Sequence, residues 1–135
     1  LDHVYKEISL KLEKRSVFEE KVLMDQYLLV KDLQSKIENA ATDLNRIRHG
    51  KDVSGLIVDG DIVPLTEVFQ QLVINKYLLK EQLYKIIWDE SWYLLKLANE
   101  RSEGKQKYLE QQYDKQREKF CQAMNDVFGI DKISW

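Results

Sequence analysis

Apolar residues recur at intervals of three and four along most of this chain, the spacing of one face of an α-helix. Val30, Leu33, Ile37, Ala40, Leu44 and Ile47 hold a heptad through the second half of residues 1–49. Leu1, Tyr5, Ile8 and Leu12 begin the same pattern. Neither proline nor glycine interrupts these residues, so the pattern predicts a single helix over 1–49, about 70 Å long at 1.5 Å per residue. Between the two heptad stretches the phase slips. Val17, Phe18, Val22, Leu23, Met24, Tyr27, Leu28, Leu29 and Val30 cover more than one face. Such a width predicts that a third helix, or another chain, packs on the middle of helix 1.

His49-Gly50 supplies a base in the last turn and a glycine beyond it, a helix stop. Residues 50–63 form the connector. Within it, Leu56-Ile57-Val58-Asp59-Gly60-Asp61-Ile62-Val63 has the Asp-Gly and β-branched arms of a small β-hairpin. Arms of three residues are marginal on their own, so a packed loop capping the bundle end is the favoured reading. Pro64 suits the first turn of the next helix. Leu65, Phe69, Leu72, Leu79, Leu83, Ile86, Tyr93 and Leu97 then predict helix 2, antiparallel to helix 1.

Residues 99–107 lose every apolar side chain before Leu109, Tyr113, Phe120, Ala123 and Val127 resume the stripe up to Gly129. Two readings stand. Positions 95, 102, 109, 116 and 123 stay seven apart and a single glycine is a weak break, which favours helix 2 running on from 64 to 128. Alternatively the chain turns near Gly104 and residues 104–128 fold back as a third helix. The fold class expected is all-α, a long antiparallel helical hairpin of coiled-coil type, with a tail at 129–135. The opening Leu1, with neither methionine nor signal peptide, carries the expectation that the chain is part of a longer protein that continues upstream.

Charge adds little to this picture. The net charge is −2, with nine bases and nine acids in residues 1–49, four and five in 64–100, and seven and six in 101–135. That evenness argues against nucleic acid as a ligand and against a polybasic membrane surface. Cys121 is the only cysteine, so neither an intrachain disulfide nor a cysteine metal knuckle forms. An intracellular setting, cytoplasmic or nuclear, is expected.

Catalytic chemistry has little to build on. His3 and His49 sit near opposite ends of helix 1. Cys121 lies at helical spacing from Phe120 and Met124 and reads as a small apolar residue. The acids beside Gly60 lack the alternating ligands and distal glutamate of a calcium loop. The expectation is therefore a protein that is not an enzyme and holds no cofactor or metal.

Two apolar sets remain as candidates for partner binding. If helix 2 is continuous, Tyr113, Phe120, Ala123, Met124, Val127 and Phe128 project beyond helix 1 and need another chain to cover them. Tyr84, Trp88 and Trp92, four apart on one face, are the second set. They fill the core, or form an anchor for a partner. The function expected is a helical interaction module, a subunit or oligomerisation region of an intracellular multiprotein assembly. Its partners are expected to be protein helices in a homodimer or hetero-oligomer. A membrane-shaping helical dimer and a helical accessory region of a larger enzyme are the alternatives.

Overall fold

A computed structural model of the chain describes residues 3, 6, 17–50, 56–59 and 61–129. Among them are four helices, α1 (Val17–Arg48), α2 (Val63–Ile74), α3 (Glu81–Asn99) and α4 (Glu103–Phe128). One two-stranded ribbon joins α1 to α2, with β1 at Ile57–Val58 and β2 at Asp61–Ile62. The fold is all-α and built on antiparallel helical hairpins. His3 and Lys6 are helical, but the first heptad residues Leu1, Tyr5, Ile8 and Leu12 lie outside the described residues, as does the tail 130–135.

Side-chain contacts give the running directions. Lys36 of α1 pairs with Glu67 of α2 at 3.6 Å, and Gln26 donates to the carbonyl of Leu78 just after α2. The partner number falls as the chain advances, so α2 runs antiparallel to α1. The chain then reverses. Gln34 meets Glu90, and Leu44 lines a common cleft with Leu94 and Leu97, so α3 runs parallel to α1. It reverses again at 100–102. Arg48 meets Glu110 and Arg117 meets Glu38, while the Tyr27 and Phe128 rings cross edge to face at 5.5 Å. Helix α4 is thus antiparallel to both α1 and α3.

The expected stripes supply the core. Val30, Leu33, Ile37, Ala40 and Leu44 of α1 are buried against Leu65, Val68 and Leu72 of α2, Leu83, Ile87 and Leu94 of α3, and Phe120 and Met124 of α4. The wide apolar middle of α1 is covered from inside the chain, with Leu23, Met24 and Tyr27 all buried. Each such Leu, Ile or Phe stabilises the fold by roughly 1.5–3 kcal/mol relative to exposure.

Three sequence expectations need correction. Helix 2 does not continue from 64 to 98. It breaks at Asn75–Lys80, where no proline or glycine marks it. The Asn75 backbone N–H and side-chain amide both donate to the carbonyl of Gln71, which ends α2. Leu78 and Leu79 then donate back to the Asn75 carbonyl. Leu79 is buried and pins the corner to the core, while Tyr77 is wholly exposed. The Leu78 carbonyl that the break leaves unbonded is satisfied by Gln26.

The helix also does not run through 99–107, and the pivot is not Gly104. Glu100 and Ser102 take extended conformations, with ψ 129° and 124°. The loop is tied by Gln106 Nε2, which donates to the Glu100 carbonyl at 2.6 Å, and by Ser102 N–H, which donates to Glu100 Oε1 at 3.1 Å. Gly104 lies in the first turn of α4. Of the two readings, the fold-back is the one that forms, because it lets the stripe at 120–128 cover the middle of α1.

Finally, the connector forms the small β-hairpin rather than only a packed loop. Ile57 pairs with Ile62 and Val58 with Asp61, and Val63 N–H donates to the Leu56 carbonyl at 2.9 Å. Asp59 has φ 52°, the left-handed value that a type I′ turn asks of its first central residue. Arms this short hold because Leu56 and Ile62 are buried in the core cluster.

Candidate functional site

The first candidate set does not project from the bundle. Phe120, Ala123, Met124 and Phe128 are buried within the chain, and Tyr113 and Val127 pack partly buried against them. The need for another chain to cover this stripe came from a continuous helix 2, and disappears with the turn at 100–102.

The second set divides. Helix α3 turns its Leu83, Ile87 and Leu94 side inward, which leaves Tyr84, Trp88 and Trp92 at its flank. Trp88 is half-buried, its ring meeting that of Phe69 on α2 at 4.7 Å between centroids, 65° apart. Tyr84 stacks on Trp88 at 6.1 Å. Trp92 stands 42% exposed, edge-on to Tyr93, with Lys96 Nζ 5.1 Å above its ring. Sequence spacing put these three on one face, and the structure places them at the boundary between core and solvent.

The α2–α3 corner completes this face. Val73, Ile74 and Tyr77 are exposed, and Lys76 Nζ sits 6.0 Å from the Tyr84 ring centre. Tyr77, Leu79, Tyr84 and Trp88 enclose, with Lys76, Glu81 and Lys85, a cleft of about 480 Å³. Tyr77 was missed from the sequence because an unbroken helix 2 gives it no special position.

A second feature lies inside. Glu90 is fully buried on the α1-facing side of α3, where Gln34 Nε2 donates to its Oε2 at 3.0 Å. Glu90 Oε1 and Gln34 Oε1 are buried without a hydrogen-bond partner among the described residues. Loss of solvation pushes the Glu90 carboxyl up to about 8, with the Gln34 hydrogen bond and the Arg117 guanidinium pulling it down and Glu38 adding repulsion. Tyr113 is held well above its ordinary value by burial first and by the nearby Glu90 second. Ser91, also buried, spends its hydroxyl on the Ile87 carbonyl. In sequence, Glu90 follows Asp89 directly, and adjacent acids on a helix point apart and suggest no shared site. Its position four after Ile86 and four before Leu94 was the available signal that it faces inward.

The residues considered for catalysis stay apart. His49 Nδ1 donates to the Asn45 carbonyl at 2.8 Å, closing the end of α1. Cys121 is half-buried beside α4's Arg117, and burial pushes its thiol up, away from thiolate reactivity at neutral pH. Among the described residues, no group of three or more His, Cys, Asp or Glu is placed to hold a metal ion, and no helix is long and apolar enough to cross a membrane. No family model matches the chain, and no curated protein or solved structure shows significant similarity to it.

Proposed function

We propose that this chain is a non-catalytic helical interaction module that meets protein partners through the aromatic flank of α3 and the α2–α3 corner, as part of an intracellular multiprotein assembly. The observation that carries the reading is the wholly exposed Tyr77 beside the Tyr84–Trp88 stack, continued by Trp92 one turn on. Tyrosine and tryptophan dominate the anchors of protein interfaces, because each brings a large rigid surface with few rotamers to freeze. A wholly exposed tyrosine contributes nothing to the core, so stability does not explain its place. The bundle supports this role by making the flank stiff: Leu79 and Leu83 hold its inner side in the core cluster, with Phe69 packed against that cluster.

The test is site-specific photo-crosslinking in native extract, with the photoreactive residue at Tyr77 and, on α4, at the exposed Lys119 as control. Discrete protein adducts at Tyr77 that are absent at Lys119 support the reading. Adducts equal at both positions, or none at Tyr77, refute it.

A further inference from the structure

The even charge along the sequence conceals a sorting in space. Residues 64–100 carry four bases and five acids. All four bases, Lys76, Lys80, Lys85 and Lys96, lie at the corner or along the aromatic flank. Lys76 and Lys85 line the cleft, Lys80 is the residue before α3, and Lys96 covers Trp92. Three of the five acids are drawn elsewhere. Glu67 pairs with Lys36 on α1, Glu90 is buried toward α1, and Glu100 is engaged in the turn before α4. Glu81 on the cleft and Asp89 remain. The flank is therefore net positive on a chain that is net negative, and none of its four lysines forms an ion pair among the described residues.

Positive charge around an apolar cleft selects its occupant. We propose that the cleft docks an acidic amphipathic segment of a partner protein, with an apolar side chain seated between Tyr77, Tyr84 and Trp88 and carboxylates on Lys76 and Lys85. A cleft of about 480 Å³ holds one or two large side chains. Carboxylates facing ammonium groups steer the encounter and fix which way the segment lies. A nucleic-acid strand fits less well. Strand binding needs open ring faces for the bases, whereas Trp88 is packed against Phe69 and Tyr84, and the chain as a whole repels phosphates.

This proposal rests on the interaction-module reading, and its test separates the two. The probe is a synthetic amphipathic peptide of about four helical turns, leucine and phenylalanine on one face and glutamate on the other, with a lysine-for-glutamate counterpart. Titration calorimetry and tryptophan fluorescence report binding to the wild type and to K76E/K85E. Both lysines are exposed, and circular dichroism checks that the variant keeps its fold. The glutamate peptide should bind saturably, weaken with salt, and lose about tenfold or more in affinity on K76E/K85E, on the scale of close interfacial charge pairs. The lysine peptide should bind the wild type weakly and the variant better. Equal binding of both peptides, no binding of either, or displacement of the glutamate peptide by oligouridylate or anionic vesicles overturns the proposal. Adducts at Tyr77 without any preference for the acidic peptide would remove this inference and leave the interaction module standing.

Discussion

Gln34 Nε2 donates to Glu90 Oε2 at 3.0 Å across the contact of α1 and α3, while Glu90 Oε1 and Gln34 Oε1 are buried without a partner among the described residues. Protonation makes sense of both. A carboxylate offers only acceptors, so an ionised Glu90 brings no donor to this buried site. A neutral acid adds one hydroxyl donor to a site that holds two buried, unmatched oxygens. A carboxyl raised to about 8 is mostly neutral at pH 7.

This sets a direction for stability with pH. The folded-state value of Glu90 lies above the unfolded one, so its proton favours the folded state. That contribution is complete below about 4.5 and is lost as pH rises to about 8. The wild type should lose a few kcal/mol from this group across the window. Glu90→Gln does not titrate, so denaturant unfolding at pH 5, 7 and 9 should find the variant gaining on the wild type as pH increases. A difference between the two that stays constant with pH would mean that Glu90 is ionised throughout.

The same pair predicts non-additivity. Gln34→Leu leaves the Glu90 carboxyl buried with no donor and should destabilise by about 1–3 kcal/mol. Glu90→Leu strands the Gln34 amide in the same way. The double variant removes both polar groups and should be less destabilised than the two singles added together, with a coupling energy of roughly 0.5–3 kcal/mol. Additive single effects would show that the two side chains do not depend on each other.

Leu83 of the expected helix 2 stripe and Tyr77 of the corner make a contrasting pair. Leu83 is fully buried in α3, and Leu83→Ala should cost about 2–5 kcal/mol in chemical denaturation. Tyr77→Ala, on the open corner, should move stability by less than about 0.5 kcal/mol and so serves as an interaction probe that leaves the fold intact.

The sequence was most legible where burial follows one period. Leu72, Leu79, Leu83 and Ile86 are all buried as their spacing predicts, and so is the α1 heptad from Val30 to Leu44. It was least legible at the reversals. The heptad passes from Leu72 to Leu79 through the Asn75–Lys80 break without losing phase, because Leu79 is buried on either side of a turn or in a helix. The break is made by an asparagine amide and a glutamine from α1, and pattern has no access to the second. Likewise Glu100, not Gly104, carries the second reversal. Of the candidate sites, the aromatic trio was visible as spacing, whereas Tyr77 and the lysine sorting depend on the corner and appear only in three dimensions.

Gly50 and Gly104 give opposite expectations that follow from this. Gly50 ends α1 with φ +80°, where a side chain is strained, so Gly50→Ala should destabilise by about 1 kcal/mol. Gly104 lies inside α4 with open space around a built Cβ, so Gly104→Ala should stabilise by roughly 0.4–1 kcal/mol. Loss of stability on Gly104→Ala would indicate that the reversal needs glycine there after all.

The fold-back of α4 is tested by charging its inner face. Phe120 is fully buried against the α1–α3 core, and Val127, two turns further along α4 and next to Phe128 of the Tyr27–Phe128 ring contact, packs partly buried against the same core. Glutamate at the fully buried Phe120 places a carboxylate in the apolar core, a loss comparable to the roughly 5–15 kcal/mol by which most domains are stable, and glutamate at the partly buried Val127 adds to it. Phe120→Glu/Val127→Glu should therefore lose helical circular dichroism and its cooperative unfolding transition together. A helix that merely projected from the bundle to pair with a second chain would respond differently: the variant would keep its helicity, and light scattering would show a larger species becoming a folded monomer. That second result would remove α4 from the intrachain core and return its stripe to the surface.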